Sequence, residues 1–472
     1  MQFPPIKLAV CGLISALLAS TAMAQSLQED STWSNQNPYL TKGENRQSAE
    51  PPTTSLGERL RDHGISYQGI VIGALFNNLT TGALPGHVGG QVIFINAVDL
   101  DLKKAWNGRG KIHFEGVVFP ATYPKSVSGN LGTYASSYLG SDQYPAHETG
   151  APWLSLLTYE DTVLDGRLNF EFGKTNLQRY FFRPNCGMDA LCIDPLVKWD
   201  GGVPDASTGT LGLRVKYQLV GHTTLEAGVQ QLREYTALIR HNGWNPLATD
   251  SGTGAFGVLG LGWRDDFSES THPGDYQLAY YYANTDITDP YYTAQGTSAL
   301  TTGEAYRTHR GSAGLVFKMQ QTLWSAPVPA PGAVPRSVSF FGTLGRSFDP
   351  ARPVGWEAIA GLVYANPTQG TAPWGHVDQV TLKAAYIRLN ESTLLAQRAA
   401  RVALGGSDEL TSPHQFRLEL STTLGLGRYV KLQPAIEYII HPDSSKSSSS
   451  SRIPKSGWIV GAVATVAFGN AH

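Results

Sequence analysis

The densest group of recognition chemistry in this 472-residue chain lies between residues 176 and 208. It gathers Arg179, Tyr180, Arg183, Asp189, Asp194, Lys198, Trp199 and Asp200. Arginine and aspartate form charge-assisted hydrogen bonds to hydroxyl groups. Tyr and Trp pair an apolar ring face with a polar atom and can pack on the apolar part of a polar solute. From this stretch Arg179, Arg183, Asp194 and Trp199 are the candidates for contact with a polyhydroxyl solute. Glu171, Arg214 and Arg417, from other segments, are candidates to line the same space. The competing reading is an external lid whose charges are merely solvated.

Cys186 and Cys192 (CGMDALC) sit in the same stretch. A pair this close in an exported chain reads as a small disulfide-closed loop. The other reading, two metal ligands, lacks a local His or a second Cys pair. Catalytic chemistry is not visible. Neither G-x-S-x-G, H-E-x-x-H, an EF-hand loop nor a Walker loop occurs. Gly252 to Gly257 (GTGAFG) fits G-x-G-x-x-G, but no amphipathic helix follows it, so it reads as the opening of a strand. No enzyme activity, cofactor or metal is expected.

The elements that carry these residues alternate with period two. In 167–173, Leu168, Phe170 and Phe172 oppose Arg167, Asn169 and Glu171. Leu213, Val215 and Tyr217 oppose Arg214 and Lys216 in the same way. Phe416, Leu418 and Leu420 oppose Arg417 and Glu419, and Tyr438 lies opposite Glu437. Period two argues for half-buried strands. Sixteen such segments occur, near 65–78, 91–104, 110–121, 151–161, 166–175, 209–219, 222–232, 253–265, 273–284, 309–324, 337–347, 354–366, 376–389, 412–424, 428–441 and 456–468. Their length suits tilted strands crossing a bilayer. A short helix is expected over 56–62.

The joins between them alternate. Those after even-numbered strands are mostly short: Asn107-Gly108, Asp165-Gly166, Val220-Gly221 and Gly425-Leu426-Gly427. The first two are two-residue hairpin chemistry. Those after odd-numbered strands are mostly long, and 122–150, 233–252, 285–308 and 390–411 are expected outside the cell. Alternating joins and an even strand count describe an all-β fold: a transmembrane antiparallel β-barrel of about sixteen strands, with short periplasmic turns and long external loops. One register follows. Phe170, Phe172, Leu213, Val215, Leu418 and Tyr438 face lipid. Lys111, Glu115, Arg167, Glu171, Arg214, Lys216, Glu226, Glu357, Lys383, Arg417, Glu419, Lys431 and Glu437 face the interior. A lumen inside sixteen strands is expected to be too wide for wall side chains to fill, and so to hold water. Mixed signs along it suit neutral polar solutes rather than one sign of ion.

Composition agrees. Charged residues are 16%, against about 25% in a soluble globular domain. Mean hydropathy is −0.18, too polar for a helical membrane protein. Lys plus Arg is 36 and Asp plus Glu is 38. That balance argues against nucleic acid as a partner.

Residues 1–24 read as a secretory signal peptide. Lys7 supplies the charged start, 8–20 (LAVCGLISALLAS) the apolar core, and Ala22-Met23-Ala24 the cleavage site. Cleavage after Ala24 removes one lysine and no acid, taking the formal charge from −2 to −3. The domain reading is then 25–64 as a periplasmic leader, 65–468 as the barrel and 469–472 as a tail.

Several stretches carry a family likeness: LGERLRDHGIS (56–66), LLTYEDTVLDGRLNFEFGKTN (156–176), VLGLGWRDDF then PGDYQLAYYY (258–282), and RGSAGLVFKMQQTLW (310–324). SFFGTLG (339–345), GLVYANP (361–367), FRLELS and KLQPAIEYIIHP (431–442) follow in order. The internal Gln-Pro followed by His-Pro is the most specific of these. The chain resembles the carbohydrate-selective porin family, the OprB-like sugar channels, over nearly all of its mature length. Two departures stand out: PTQGTAPWGHVD (367–378) lacks an Arg-Pro-then-Asp pattern common in the family, and four residues follow Phe468. The resemblance implies a sixteen-stranded outer-membrane pore for passive diffusion of mono- or small oligosaccharides. Outer-membrane lipid and the barrel-assembly machinery would be its partners, and it would work as a monomer or homotrimer. The alternatives are a general or other-solute porin and a barrel for polysaccharide export.

Overall fold

A computed structural model describes residues 56–122, 150–182, 196–197, 200–204, 207–267, 269–327, 335–368, 375–427, 429–444 and 451–469. Sixteen strands form a closed barrel in which each pairs antiparallel with its sequence neighbours and β1 closes on β16. They are β1 (Ile65–Asn78), β2 (His87–Asp101), β3 (Lys111–Thr122), β4 (Pro152–Val163), β5 (Leu168–Thr175), β6 (Thr210–Gln218), β7 (Thr223–Arg233) and β8 (Gly252–Arg264). The second half comprises β9 (Gly274–Thr293), β10 (Tyr306–Ser325), β11 (Ser337–Ser347), β12 (Val354–Ala365), β13 (His376–Leu389), β14 (His414–Leu426), β15 (Val430–Ile440) and β16 (Gly457–Gly469). Closure pairs every strand edge, the condition a sheet must meet to cross lipid.

Among the described residues, five α-helices decorate the barrel: α1 (Leu56–Asp62), α2 (Leu102–Trp106), α3 (Tyr235–Ile239), α4 (Ala299–Thr302) and α5 (Glu391–Ala403). The expected helix over 56–62 is α1. The others correct the sequence reading in detail. Asn107-Gly108 is no two-residue hairpin. Asp101 caps α2 by accepting from the amides of Lys103 and Lys104, and Asn107 ends it at φ 56°. Asn tolerates that left-handed conformation, so the same dipeptide serves as a helix stop. Half of the expected 285–308 loop is strand, because β9 and β10 run on to Thr293 and from Tyr306. The helix α5 was not anticipated.

The period-two register is the one expected, except that Arg167 lies in the turn before β5 with its guanidinium over the Tyr217 ring. Phe172, Leu213 and Leu418 are exposed on the outer face, while Glu171, Arg417 and Glu419 are buried inside. The inner wall is less polar than expected. Ile70, Ile72, Phe76, Ile93, Ile95, Val117, Phe119, Ile459 and Val463 form one buried apolar cluster across β16, β1, β2 and β3.

Candidate pore constriction

The segment after β5 turns into the barrel. Asn176 starts this course: its side chain accepts from the Gln178 amide and donates to the carbonyls of Pro204 and Thr208. A single 3-10 turn (Leu177–Arg179) follows. Leu177, Phe181, Phe182, Leu196, Val197 and Val203 are all buried, in one cluster with Phe256, Val258, Tyr281, Val316, Phe341 and Ile359 of the wall. Burial of this many large side chains contributes on the order of 1.5–3 kcal/mol each, enough to hold a loop that would otherwise be solvated. The wall makes room with glycine. A Cβ on Gly228 would lie 2.9 Å from Leu177 Cδ2, and one on Gly345 would lie 3.0 Å from Leu196 Cδ2. The lumen is therefore narrowed by the chain itself.

Polar residues gather beside this plug. Glu171 and Arg214 face each other across β5 and β6. Tyr180 of the inward segment sits on both: its hydroxyl donates to Glu171 (2.6 Å), and its ring lies under the Arg214 guanidinium at 4.4 Å. Arg214 continues to Glu226 at 3.4 Å, and Lys216 reaches the same carboxylate at 3.4 Å. Arg214 also donates to Asn169, which donates to Glu160. His113 bridges Glu160 (2.8 Å) and Asp99 (2.7 Å). A polar track thus runs along β2 to β7.

Arg179 stands apart from it. Its two terminal nitrogens donate to Glu115 at 3.0 and 2.6 Å, and Ser155 donates to the same carboxylate at 2.5 Å. Arg179 and Glu115 are 1% and 2% exposed, so this fork is committed to tying the inward segment to β3. Arg417 lies elsewhere. It contacts Glu419 (2.6 Å) and Glu437 (2.7 Å), while Lys383 holds Glu419 at 2.6 Å, with all four side chains at most 1% exposed. Of the candidate residues, the structure brings Glu171 and Arg214 together, with Tyr180 between them. It gives Arg179 and Arg417 separate ion-pair clusters. Arg183, Asp194, Trp199, Cys186 and Cys192 lie outside the described residues.

Sequence reasoning underrated Tyr180 and Glu115 and overlooked His113 and Glu160. The signal for all four was present in the inward register or in adjacency to Arg179; their partners were not. Among the described residues no group of three or more His, Cys, Asp or Glu is placed to hold a metal. None of their helices is long and apolar enough to cross a membrane.

A constricted sixteen-stranded barrel is porin architecture, and comparison fixes which kind. The model of the carbohydrate-selective porin, OprB family, matches residues 135–466. The chain belongs to this family. This porin is 24% identical over 361 residues to Porin B of Pseudomonas aeruginosa, covering 74% of this chain and 76% of that one. It superimposes on a high-pH structure of Pseudomonas putida OprB with a TM-score of 0.71 at 20% identity, over 87% of this chain and 96% of the other. The porin is an outer-membrane channel through which carbohydrates pass. The register supplies the physical basis: apolar residues meet lipid, and paired charges of both signs line the interior.

Proposed function

We propose that the join 176–208, whose described ends turn inward, is the part of the porin that selects sugars. The observation that carries this reading is Tyr180, seated between Glu171 and Arg214. It fixes the first turn of the segment against a wall that still carries hydrogen-bonding capacity. Arg183, Asp194 and Trp199 then contact the solute, with Arg214 and Glu171 beside them and a Cys186–Cys192 disulfide stiffening the tip. Arg179 and Arg417 act through the braces they form. Transport is passive diffusion without turnover, cofactor or energy coupling. The chain is exported by residues 1–24, cleaved after Ala24, inserted by the barrel-assembly machinery with its long joins outward, and works as a monomer or homotrimer.

Sugar block of ion current through single channels tests the reading. Arg183→Ala or Trp199→Ala should weaken block by about 1–2 kcal/mol, the scale of one lost hydrogen bond or stacking contact. Deleting 185–194 should raise conductance and abolish block. Unchanged block and conductance in a well-folded deletion variant would exclude the segment. Liposome flux of glucose, an amino acid and a salt separates a sugar-selective pore from a general one.

A further inference from the structure

One buried cation lies on the wrong face of the barrel. Lys174 pairs with Leu157 and Leu211 across β4 to β6. That register places it on the outward side, two residues beyond Phe172. It is nevertheless only 4% exposed. The reason is the segment 234–251, which leaves β7 and folds down the outside of the barrel. There Trp244 Nε1 donates to the Pro152 carbonyl (3.0 Å), and its ring packs on outward-facing Phe114 with centroids 6.1 Å apart. Gly243 passes so close that a Cβ would sit 2.6 Å from the Leu154 carbonyl and 3.3 Å from Lys174 Nζ. The segment is a strap over four strands, at the rim that carries the long joins.

Beneath it lies a cavity of about 100 Å³, bordered by Lys174, Gly209, Arg233, Gly243, Asn245 and Asp250. A single water needs roughly 10–15 Å³. Lys174 spends one of its three donors, on the Gly209 carbonyl at 2.7 Å. Arg233 donates from Nε to the Asp250 carbonyl (3.0 Å) and from Nη2 to the Asp250 carboxylate (2.8 Å). That carboxylate is thereby neutralised, and Nη1 of Arg233 is left over. The cavity keeps the net positive charge of Lys174 and several donors without a matching acceptor.

We propose that this cavity is an oxyanion site that takes a phosphate group. A phosphate offers several acceptor oxygens and negative charge, which lysine and arginine recognise together. The chemistry is shared by two sources. One is a phosphorylated glycolipid of the surrounding leaflet, since the cavity opens on the outer wall. The other is phosphate free in solution. Sugar passage through the lumen does not involve this side of the wall, so the site is a second function of the same barrel.

The test uses the full-length porin, purified in detergent without phosphate, with native mass spectrometry and calorimetry as readouts. The probes are inorganic phosphate, a short-chain bis-phosphorylated glucosamine disaccharide lipid, and the same lipid without phosphates. Saturable one-to-one binding of the phosphorylated lipid, at least tenfold tighter than its dephosphorylated form, is expected. Inorganic phosphate binding as tightly as that lipid supports the site and names the free anion as its occupant. Lys174→Met should weaken binding at least tenfold, Lys174→Arg should retain most of it, and exposed Lys455→Met should change nothing. Asn245→Asp adds a carboxylate from an exposed loop position without touching the barrel, and should also weaken binding at least tenfold. Heat-modifiable gel mobility confirms folding of each variant. No saturable binding of either phosphate probe, equal binding of the dephosphorylated lipid, or an unaltered Asn245→Asp variant would overturn the proposal.

Discussion

Two charged patches line the same lumen and are built to opposite ends. On β13 to β15, Lys383, Arg417, Glu419 and Glu437 form a closed knot, each at most 1% exposed. On β2 to β7, the track from Asp99 to Lys216 stays partly open: Asp99 and Lys216 are 47% and 42% exposed. Both patches mix signs, and both sit on the inward register. The difference lies in what remains uncommitted. A fully desolvated cluster has no donor to offer a solute and can only brace the wall. A half-open track, with Tyr180 laid on it, can exchange its water for hydroxyls.

The closed knot should be the costlier to break. Arg417→Met strands Glu437 and weakens the hold on Glu419, which places its cost in the range of about 3–5 kcal/mol for half of a buried pair. Loss of the folded, heat-modifiable form during refolding measures it. Pairing Arg417→Met with Glu437→Leu should restore most of the folded yield, because apolar replacements of buried pairs are often neutral. If Arg417→Met instead folds normally and alters sugar block, the contrast between the patches collapses.

The open track predicts a smaller and different effect, read against its own lipid face. Leu213→Lys, on the outer side of β6, should cost up to about 2–4 kcal/mol if it lies near the midplane and impair assembly. Arg214→Gln, one residue along, should assemble and change permeation instead. A reversed outcome would mean a register shifted by one residue.

The smallest effect belongs to the rim, outside both patches. Arg398 holds Asp408 through two bonds of 2.8 Å in the join that follows β13. Those hydrogen bonds keep the Asp408 carboxyl below the usual carboxylate range. A depressed folded pKa stabilises above the unfolded value, about 4, and the benefit is lost as pH falls through the folded value. Both groups are solvated, and exposed pairs contribute little. Limited proteolysis of 390–413 should therefore match wild type for Arg398→Gln at pH 7. The wild type should lose any advantage only below about pH 4.

The barrel was legible because its signal is local. Every strand carries its own period-two alternation, and the Lys383 to Glu437 residues announce the inner face one strand at a time. Turn chemistry was legible only in part, since Asn107 adopts the same left-handed backbone at a helix stop as in a hairpin. The constriction was legible as composition: Arg179, Tyr180 and their neighbours mark the segment whose described ends turn inward. Which of them touch what was not, and for a physical reason. Arg179 meets Glu115 across 64 positions of chain, a pairing that exists only after sixteen strands have closed and the segment has turned inward. Likewise, parity with Phe172 places Lys174 on the outer face, but nothing local says that it is buried; the strap that covers it comes from the 234–251 segment. Sequence alone determined the strands, their faces and the family, because backbone pleat and lipid impose those residue by residue. Tertiary structure decided which charges brace, which stay open and which loop fills the pore, because those depend on burial and pairing between residues that only closure brings together.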